Sequence, residues 1–358
     1  MTHVERLAQK LLKGDSSCAA LVFSERNRRY LSGFPATDGA LLVTTDGSYL
    51  LMDFRYAEAA SYAVKDCQVV EFANMYEKLE ELLKKHGVHR VYLETQMLSV
   101  AQAQLFTEKF RVFGVETDLS SSLDDTLMAL RIIKTPEEIQ KIKDAQAITE
   151  AAFDHILPFI KEGVTEKELA LEIEFFMRSH GAENVAFDLI VVAGKNGSLC
   201  HGVPGNTKVQ KGDFITMDTG ALLDGYHSDM TRTVALGNVS AEQKKVYDTV
   251  LQAQLAALDA IRPGVPCWTI DKVARDIIEK DYPGRFGHSL GHGVGVEIHE
   301  WPRFAKGSET ITEPGMVVTV EPGIYLAGQF GVRIEDMIVV TENGCENLTS
   351  SKKDLIIL

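Results

Sequence analysis

The first third of the chain alternates short apolar runs with turn residues and one amphipathic stretch. Asp46-Gly47 lies between two apolar runs, which is a strong signal for a β-hairpin. Strands that alternate with helices predict a compact α/β domain. The predicted elements are strands at residues 18–24 and 89–95, a hairpin within residues 40–53 and a helix at residues 74–88.

A polar stretch at residues 118–125 follows this domain and predicts a boundary there. We therefore expect domains at residues 1–125 and 126–358, in keeping with a length beyond the about 250 to 300 residues at which single cores stop growing. Past the boundary, apolar residues recur at a spacing of three and four, which predicts a long amphipathic helix. Thr135 and Pro136 are typical of its start.

The remainder of the chain contains an internal repeat, which is the most informative feature of the sequence. In each copy an amphipathic helix precedes a glycine-rich stretch ending in a histidine, and a strand with a carboxylate follows. A second carboxylate comes after each strand. Because the chemically costly residues repeat in register, we infer two duplicated halves. The matching pairs are helices at residues 161–181 and 262–284, His201 and His299, Asp218 and Glu321, and Asp229 and Glu335.

Hairpin geometry is expected to bring the carboxylates of the first half together. Asp224-Gly225 is the signal for a two-residue turn, and pairing across it makes Asp218 face Thr231. Thr231 points the same way as Asp229, because side chains two positions apart share a face of a strand. The two aspartates are therefore predicted to be near neighbours.

In the second half, a turn centred on Gly328 places Glu321 opposite Glu335. Four carboxylates on inward sheet faces would repel one another and be costly to desolvate unless cations compensated them. Carboxylates with an imidazole suit two divalent ions that share bridging ligands, and a metal-held hydroxide is a nucleophile at neutral pH. We therefore expect hydrolysis, with nearby histidines as candidates for proton transfer. Three histidines fall close together along the chain: His288, His292 and His299.

The charge balance, 37 Lys and Arg against 51 Asp and Glu with a net charge of −14, narrows the class of partner. It disfavours nucleic acid and anionic membrane surfaces, which are held by clustered basic residues. The five cysteines are scattered, as is typical of free thiols in a reducing compartment. No apolar run approaches the about 20 residues that span a bilayer, and the first residues lack the apolar core of a signal peptide. We therefore expect a cytoplasmic protein.

Four motifs contain the carboxylates and the clustered histidines: HSLGHGVGVEIHE at residues 288–300, MDTGALLDGYHSDMTRT at 217–233, VEPGIY at 320–325 and GVRIEDM at 331–337. They resemble those of the pita-bread metallopeptidases, and within them the proline-specific branch that includes Xaa-Pro dipeptidase and aminopeptidase P. The first domain is also similar to the creatinase-type N-terminal domain, so the resemblance spans essentially the whole chain. It implies an α+β fold in which a C-terminal pita-bread (creatinase/aminopeptidase) domain with pseudo-twofold duplicated halves follows a smaller α/β domain.

The resemblance implies a site for two divalent metal ions, and all five ligand positions of the family are matched. Asp229 and Glu335 would bridge the ions. His292 and Glu321 would complete the coordination of one ion, and Asp218 that of the other. Manganese is the ion that the resemblance implies, with cobalt and zinc able to use the same ligands.

Four further site residues follow from the same resemblance. His201 and His299 would contact the substrate near the scissile amide, and His288 would line the pocket that accepts proline. Arg333 matches an arginine that supports the site through hydrogen bonds. Cys200 lies beside His201, but the sequence lacks the spacing that would support a thiol nucleophile.

The implied activity is removal of the N-terminal residue from dipeptides or short peptides whose second residue is proline, by a homodimeric enzyme. Such a bond needs specialised handling because proline has no N–H and a fixed φ. Methionine aminopeptidase shares the fold and ligands, but the separate first domain and the histidine-rich motif disfavour it. The complete ligand set disfavours metal-free creatinase chemistry and a non-catalytic peptide-binding module. Whether dipeptides or longer peptides are the substrates stays open.

Overall fold

The computed structural model describes residues 1–358, which divide into two compact units, Met1–Arg131 and Ile132–Leu358. The division falls after residue 131 rather than after the expected residue 125. A helix at Ser122–Arg131 accounts for the difference, because the polar stretch that suggests a boundary leads directly into it. The apolar side chains of this helix are buried within the first unit: Leu123, Leu127 and Leu130.

The first unit is a six-stranded mixed sheet with six α-helices, as the α/β prediction requires. Its strands are β1 (Cys18–Val22), β2 (Ala40–Val43), β3 (Ser48–Met52), β4 (Gln68–Glu71), β5 (Arg90–Leu93) and β6 (Glu116–Asp118). Its helices are α1 (His3–Leu7), α2 (Glu25–Ser32), α3 (Phe54–Ala63), α4 (Met75–Lys85), α5 (Val100–Val112) and α6 (Ser122–Arg131). A turn of π-helix at Ala8–Leu12 continues α1. The strand order is β4-β3-β2-β1-β5-β6.

Within this sheet, β1, β2 and β3 pair antiparallel, whereas β4, β5 and β6 join in parallel. The β2–β3 hairpin turns at residues 44–47, where Asp46-Gly47 stands as predicted. Thr44 closes the turn, because its N–H donates to the carbonyl of Gly47 at 2.8 Å. Apolar side chains of the sheet, such as Leu21 and Leu51, form one buried cluster with side chains of α4 and α5, such as Leu83 and Phe110.

The second unit has four α-helices, α7 (Pro136–Ile156), α8 (Glu166–Ser179), α9 (Ala241–Ala260) and α10 (Cys267–Asp281), and 3₁₀ turns at Leu157–Phe159 and Gly194–Ser198. Strands of its first part are β7 (Asn184–Val185), β8 (Ile190–Ala193), β9 (Phe214–Thr219), β10 (Ala221–Leu223), β11 (Tyr226–His227) and β12 (Met230–Ala235). Those of its second part are β13 (Gly291–Gly293), β14 (Glu300–Phe304), β15 (Val317–Val320), β16 (Gly323–Leu326), β17 (Phe330–Arg333), β18 (Asp336–Val340) and β19 (Cys345–Asn347).

Local capping chemistry determines where three of these helices begin. Thr135 caps α7 and Thr165 caps α8, each through a reciprocal capping box with the glutamate three residues later. The sequence pattern above predicts both helices but not α9. The signal for α9 is present, because Ser240 and Gln243 form the same kind of capping box at its start.

The two halves of the second unit repeat one order of elements. Helices α7 and α8 precede the strands of the first half, and α9 and α10 precede those of the second. Strand β9, the β10–β11 hairpin and β12 then correspond to β15, the β16–β17 hairpin and β18. The strands form antiparallel sheets with the orders β12-β9-β8 and β14-β13-β15-β18-β19, so helices and antiparallel strands combine as an α+β fold requires.

The strand registers are those that the turn signals predict. Asp218 pairs with Thr231 across β9 and β12, and Leu223 pairs with Tyr226 at the turn of β10 and β11. In the second half, Gly323 pairs with Arg333, which is the register of a turn centred on residue 328. Two apolar clusters support the halves, one packed around α7 and α8 and the other around α9 and α10. None of the helices is both long and apolar enough to cross a membrane.

Candidate metal centre

A cavity of about 640 Å³ lies where the carboxylate-bearing ends of these strands meet. Asp229 and Glu335 immediately precede β12 and β18, and Asp218 and Glu321 lie at the ends of β9 and β15. The matching positions reflect the duplication. All nine residues that the sequence nominates line this cavity: His201, Asp218, Asp229, His288, His292, His299, Glu321, Arg333 and Glu335.

Three of these side chains form a buried cluster that is able to hold a metal ion. One ligand atom from each of Asp229, His292 and Glu335 lies within 4.8 Å of the other two. Nε2 of His292 is 3.6 Å from Oδ2 of Asp229 and 3.3 Å from Oε1 of Glu321. A fourth candidate ligand therefore borders the cluster.

Backbone and hydroxyl contacts orient the imidazole of His292. Its Nδ1 lies 3.1 Å from the carbonyl oxygen of Gly293, so a proton on Nδ1 would leave Nε2 with its lone pair facing the carboxylates. The backbone N–H of His292 donates to Thr319 Oγ1 at 3.0 Å, and the hydroxyl of Thr319 donates to Glu321 Oε1 at 3.1 Å. One threonine of β15 thus links the two candidate ligands.

Arg333 holds the remaining carboxylate in place. Its Nη2 donates to Oδ2 of Asp218 at 2.6 Å, and its Nε donates to Thr231 Oγ1 at 3.0 Å. Nη1 donates to the Tyr325 hydroxyl at 2.7 Å and to the carbonyl oxygen of Cys200 at 3.2 Å. Oδ1 of Asp218 is buried and has no hydrogen-bond partner. A buried carboxylate oxygen that accepts no hydrogen bond is available to bind a cation. This set of oxygen and nitrogen ligands therefore fits a divalent metal.

Burial raises the pKa of three of the four carboxyl groups. The pKa of Glu321 is raised to about 8, with nearby Asp218 adding to the effect of burial. Burial also raises the pKa of Asp229 and Glu335 well above the ordinary range, and neighbouring carboxylates raise both further. Mutual repulsion in a desolvated site is the physical cause, and a bound cation would oppose it.

The pKa values of three histidines of the site are lowered rather than raised. Burial lowers the pKa of His292 to about 3 and that of His288 to about 4, and it also lowers the pKa of His299. These imidazoles are therefore neutral at pH 7. Neutral imidazole is the form that ligates a metal and accepts a proton.

The remaining nominated histidines surround the carboxylates. His201 and His299 are exposed side chains of the cavity wall, and the rings of His292 and His299 approach edge to face with centroids 4.4 Å apart. His288 lies 3.9 Å from Glu321 through Nδ1 and 3.1 Å from the Tyr325 hydroxyl through Nε2. Imidazoles able to exchange protons therefore adjoin both His292 and Glu321.

Cys200 also lines the cavity, and burial raises the pKa of its thiol. A raised pKa disfavours the thiolate that a nucleophile needs. The structure thus supports the sequence argument against thiol chemistry.

The sequence argument above assigns no functional role to three residues of the site. Thr231 donates to Oε2 of Glu335 at 2.7 Å, Tyr325 joins His288 to Arg333, and Arg303 lines the cavity. Arg303 stands four positions after His299 in the histidine-rich region, which is the only sequence signal for it. The hydrogen bonds of Thr231 to Glu335 and of Tyr325 to His288 join segments 104 and 37 positions apart, so no local pattern predicts them.

Comparison with known proteins agrees with these observations. Residues 140–342 match the model of metallopeptidase family M24, and residues 4–133 match that of the creatinase/prolidase N-terminal domain. An Xaa-Pro dipeptidase from Pyrococcus furiosus is 38% identical, over 98% of this chain and 99% of its own. The solved structure of an Xaa-Pro dipeptidase from Bacillus anthracis is 41% identical with a TM-score of 0.93, covering 99% of each chain. That of an X-Pro aminopeptidase from Thermotoga maritima is 36% identical with a TM-score of 0.89, covering 95% of this chain and 97% of the other.

Similarity over nearly the full length of both partners confirms the predicted fold, a pita-bread domain preceded by a creatinase-type domain. It also confirms the resemblance to the proline-specific metallopeptidases. The matched M24 region spans more than half of the chain and contains all nine candidate site residues. This protein therefore belongs to metallopeptidase family M24 and carries the creatinase/prolidase N-terminal domain.

Proposed function

We propose that the protein hydrolyses the bond between an N-terminal residue and a following proline, in dipeptides or short peptides. The observation that carries the proposal is the convergence of Asp229, His292 and Glu335 within 4.8 Å in a cavity lined by the other nominated residues. The names of the relatives, Xaa-Pro dipeptidase and X-Pro aminopeptidase, support the substrate class.

We assign two divalent ions to this cavity, and manganese as their identity. Asp218, Asp229, His292, Glu321 and Glu335 are the residues that would hold them. A set of four carboxylates and one imidazole supports this choice, because hard oxygen ligands suit manganese. When bound, the ions supply a water acidic enough to act as nucleophile near neutral pH and a Lewis acid for the scissile carbonyl.

The protein side chains around the carboxylates would orient the peptide and move protons. His201 and His299 line the exposed wall of the cavity, where a scissile amide would enter. A neutral His299 is able to donate a hydrogen bond to a carbonyl oxygen that gains negative charge. Arg333 acts through Asp218, because its Nη2 fixes one carboxylate oxygen and leaves the other facing the site.

The walls of the cavity suit a proline-containing peptide with a free carboxylate. Phe187, Leu189 and Ile298 line the cavity and offer apolar surface to a pyrrolidine ring. His288 borders the same space, as the family resemblance implies for the proline pocket. Arg303 lines the cavity, is exposed and makes no ion pair within the chain, so it is available to a substrate carboxylate.

The decisive test is a cleavage assay with the Mn²⁺-loaded protein on Ala-Pro, Ala-Pro-Ala and Ala-Ala. We expect cleavage of at least one proline peptide and much slower cleavage of Ala-Ala. Preference for Ala-Pro would identify a dipeptidase, and preference for Ala-Pro-Ala an aminopeptidase of the P type. Failure to cleave either proline peptide, with bound metal demonstrated, would contradict the proposal.

Two further properties belong to the same proposal. Five free cysteines are typical of a reducing compartment, which supports a cytoplasmic location. Membership of the family supports a homodimer, and light scattering on the purified protein would test it.

A further inference from the structure

A second buried arginine, Arg232 in β12, lies directly behind the carboxylate cluster. Its Nη1 donates to the carbonyl oxygens of Thr231 at 3.0 Å and Glu335 at 2.5 Å. Its Nε and Nη2 donate to the carbonyl oxygens of Lys352 at 3.0 Å and Ser351 at 2.8 Å. One guanidinium thus ties the backbone of both halves of the site to the C-terminal segment, residues 351–358.

Asp336 compensates the charge of this arginine and extends the network. Its Oδ1 accepts from Arg232 Nη2 at 2.7 Å, and the two side chains are 0% and 2% exposed, respectively. Its Oδ2 accepts from Gln254 at 2.9 Å, Asn347 at 2.8 Å and Lys353 at 2.7 Å. All three guanidinium nitrogens of Arg232 and both carboxylate oxygens of Asp336 have hydrogen-bond partners. A buried ion pair that is fully hydrogen-bonded in this way is held in one geometry.

Both members adjoin residues that touch the candidate ligands. Arg232 follows Thr231, whose hydroxyl donates to Oε2 of Glu335 at 2.7 Å, and Asp336 follows Glu335 itself. The N–H of Glu335 donates in turn to the carbonyl oxygen of Thr231 at 3.1 Å. A shift of either backbone would therefore move the Glu335 carboxylate relative to Asp229 and His292.

The C-terminal segment is itself fastened to β12. The N–H of Ala235 donates to Ile356, and that of Leu358 donates to Ala235, both at 2.9 Å. Lys353 reaches back to Asp336, as described above. The segment, none of whose residues lines the cavity, therefore provides a fixed support for Arg232.

We propose that Arg232 and Asp336 are positioning residues that hold Glu335 in its metal-binding place by anchoring it to the C-terminal segment. The inference rests on the proposed role of Glu335 as a ligand. Residues that orient a ligand without touching the metal typically contribute about 10- to 100-fold to metal affinity or activity.

Two buried charged residues of the first unit provide matched controls. Glu94 is 0% exposed and accepts hydrogen bonds from Ser24 Oγ and Asn27 Nδ2, both at 2.7 Å. Arg28 is 2% exposed and donates to the carbonyl oxygen of Ala36 at 2.6 Å. All of these partners belong to the first unit, so loss of either side chain removes a comparable buried interaction away from the candidate metal ligands.

The test compares Mn²⁺ affinity, measured by calorimetry on metal-stripped protein, with the melting temperature of each variant. Arg232→Met and Asp336→Asn should bind Mn²⁺ at least about tenfold more weakly than wild type. Arg28→Met and Glu94→Gln should lower the melting temperature similarly and leave Mn²⁺ affinity unchanged. If Arg232→Met does not fold, the milder variant Lys353→Met replaces it, and we expect it to weaken Mn²⁺ binding as well.

Unchanged Mn²⁺ affinity in the folded Asp336→Asn and Lys353→Met variants would overturn the positioning role and leave the proposed function intact. An equal loss of affinity in the Arg28 and Glu94 variants would also overturn it, since the effect would then be general destabilisation. A wild-type protein that binds no Mn²⁺ would overturn both proposals. All of these outcomes are measured by metal binding and melting temperature, without a peptide cleavage assay.

Discussion

The hydroxyl of Thr231 donates to Oε2 of Glu335 at 2.7 Å, so a residue of the first half holds a carboxylate of the second. The same hydroxyl accepts from Nε of Arg333 at 3.0 Å. One small side chain therefore links a candidate ligand, the arginine that supports Asp218, and the seam between the duplicated halves.

Removing this hydroxyl should weaken the site without changing its shape. Thr231→Val is nearly isosteric, but it leaves the Arg333 Nε–H unpaired and frees Glu335 to move. We expect kcat on Ala-Pro to fall about 10- to 100-fold. Thr231→Ser keeps the hydroxyl and should retain most of the activity. Equal activity of the Val and Ser variants would show that this hydrogen bond does not matter for turnover.

Glu335→Gln should abolish turnover, because an amide lacks the negative charge that the proposed metal site needs. The loss of activity should exceed about 100-fold, which is the upper range for substitutions of residues that only orient a metal ligand. Glu342→Gln is a suitable control, since this residue is exposed and lies seven positions later. Steady-state cleavage of Ala-Pro in saturating Mn²⁺ measures both variants. Full activity in Glu335→Gln would contradict its assignment as a ligand.

Metal affinity should rise with pH. The metal-free site holds protons on carboxyl groups whose pKa is raised, with that of Glu321 at about 8, and a divalent ion must displace them. Each displaced proton makes the apparent affinity about tenfold stronger per pH unit, in the window from the ordinary Glu pKa of 4.5 up to about 8. Calorimetric titration with Mn²⁺ between pH 6 and pH 8 checks the slope, and an affinity that stays constant would contradict it.

The same shift affects the stability of the metal-free protein in the opposite direction. Because the folded pKa of Glu321 exceeds the unfolded value, the folded state binds more protons, and its contribution to stability is lost as pH rises towards 8. Mn²⁺ should therefore raise the melting temperature more at pH 8 than at pH 6. Thermal unfolding with and without metal at both pH values measures the difference.

Arg303→Gln should discriminate between substrates with and without a free carboxylate near the cleaved bond. A hydrogen bond to a charged group contributes about 1.5 to 3 kcal/mol, which corresponds to roughly 10- to 100-fold in kcat/KM. We expect that loss for Ala-Pro and little change for the amide Ala-Pro-NH₂. A uniform loss on both peptides would indicate that Arg303 does not bind the carboxylate.

Gly291 marks a close approach between β13, which carries His292, and β15, which leads to Glu321. A Cβ at this position would lie 1.9 Å from the carbonyl oxygen of Thr319, so Gly291→Ala must separate the strands. We expect a loss of about 2 to 3 kcal/mol in the free energy of unfolding, together with weaker Mn²⁺ binding.

Gly287→Ala is the control for this substitution, because a Cβ there meets nothing within 4 Å. Chemical denaturation and Mn²⁺ titration of the two variants check the prediction. Equal stability of the two would show that the strands tolerate the added methyl group.

Local geometry explains why much of the fold and site follows from sequence. Turn length and two-residue alternation determine hairpin register, so the pairing of Asp218 with Thr231 is predicted and observed. Capping residues such as Thr135 likewise mark helix starts. Such local rules do not predict the boundary after Arg131. The polar stretch indicates a loop, but whether the helix that follows packs its apolar face in the first unit depends on tertiary contacts.

Patterns along the chain are therefore enough to predict the duplicated halves, the pairing of carboxylates within each half, and the chemical nature of the candidate ligands, since these depend on neighbours in sequence. Before the structure, the family resemblance alone implied that both pairs share a site, and the packing of the two halves places them in one cavity. The same packing lets Arg232 and Thr231 support Glu335, which lies 103 and 104 positions away in the chain. Contacts between such distant segments arise from the packing of the two halves, and no local pattern encodes them.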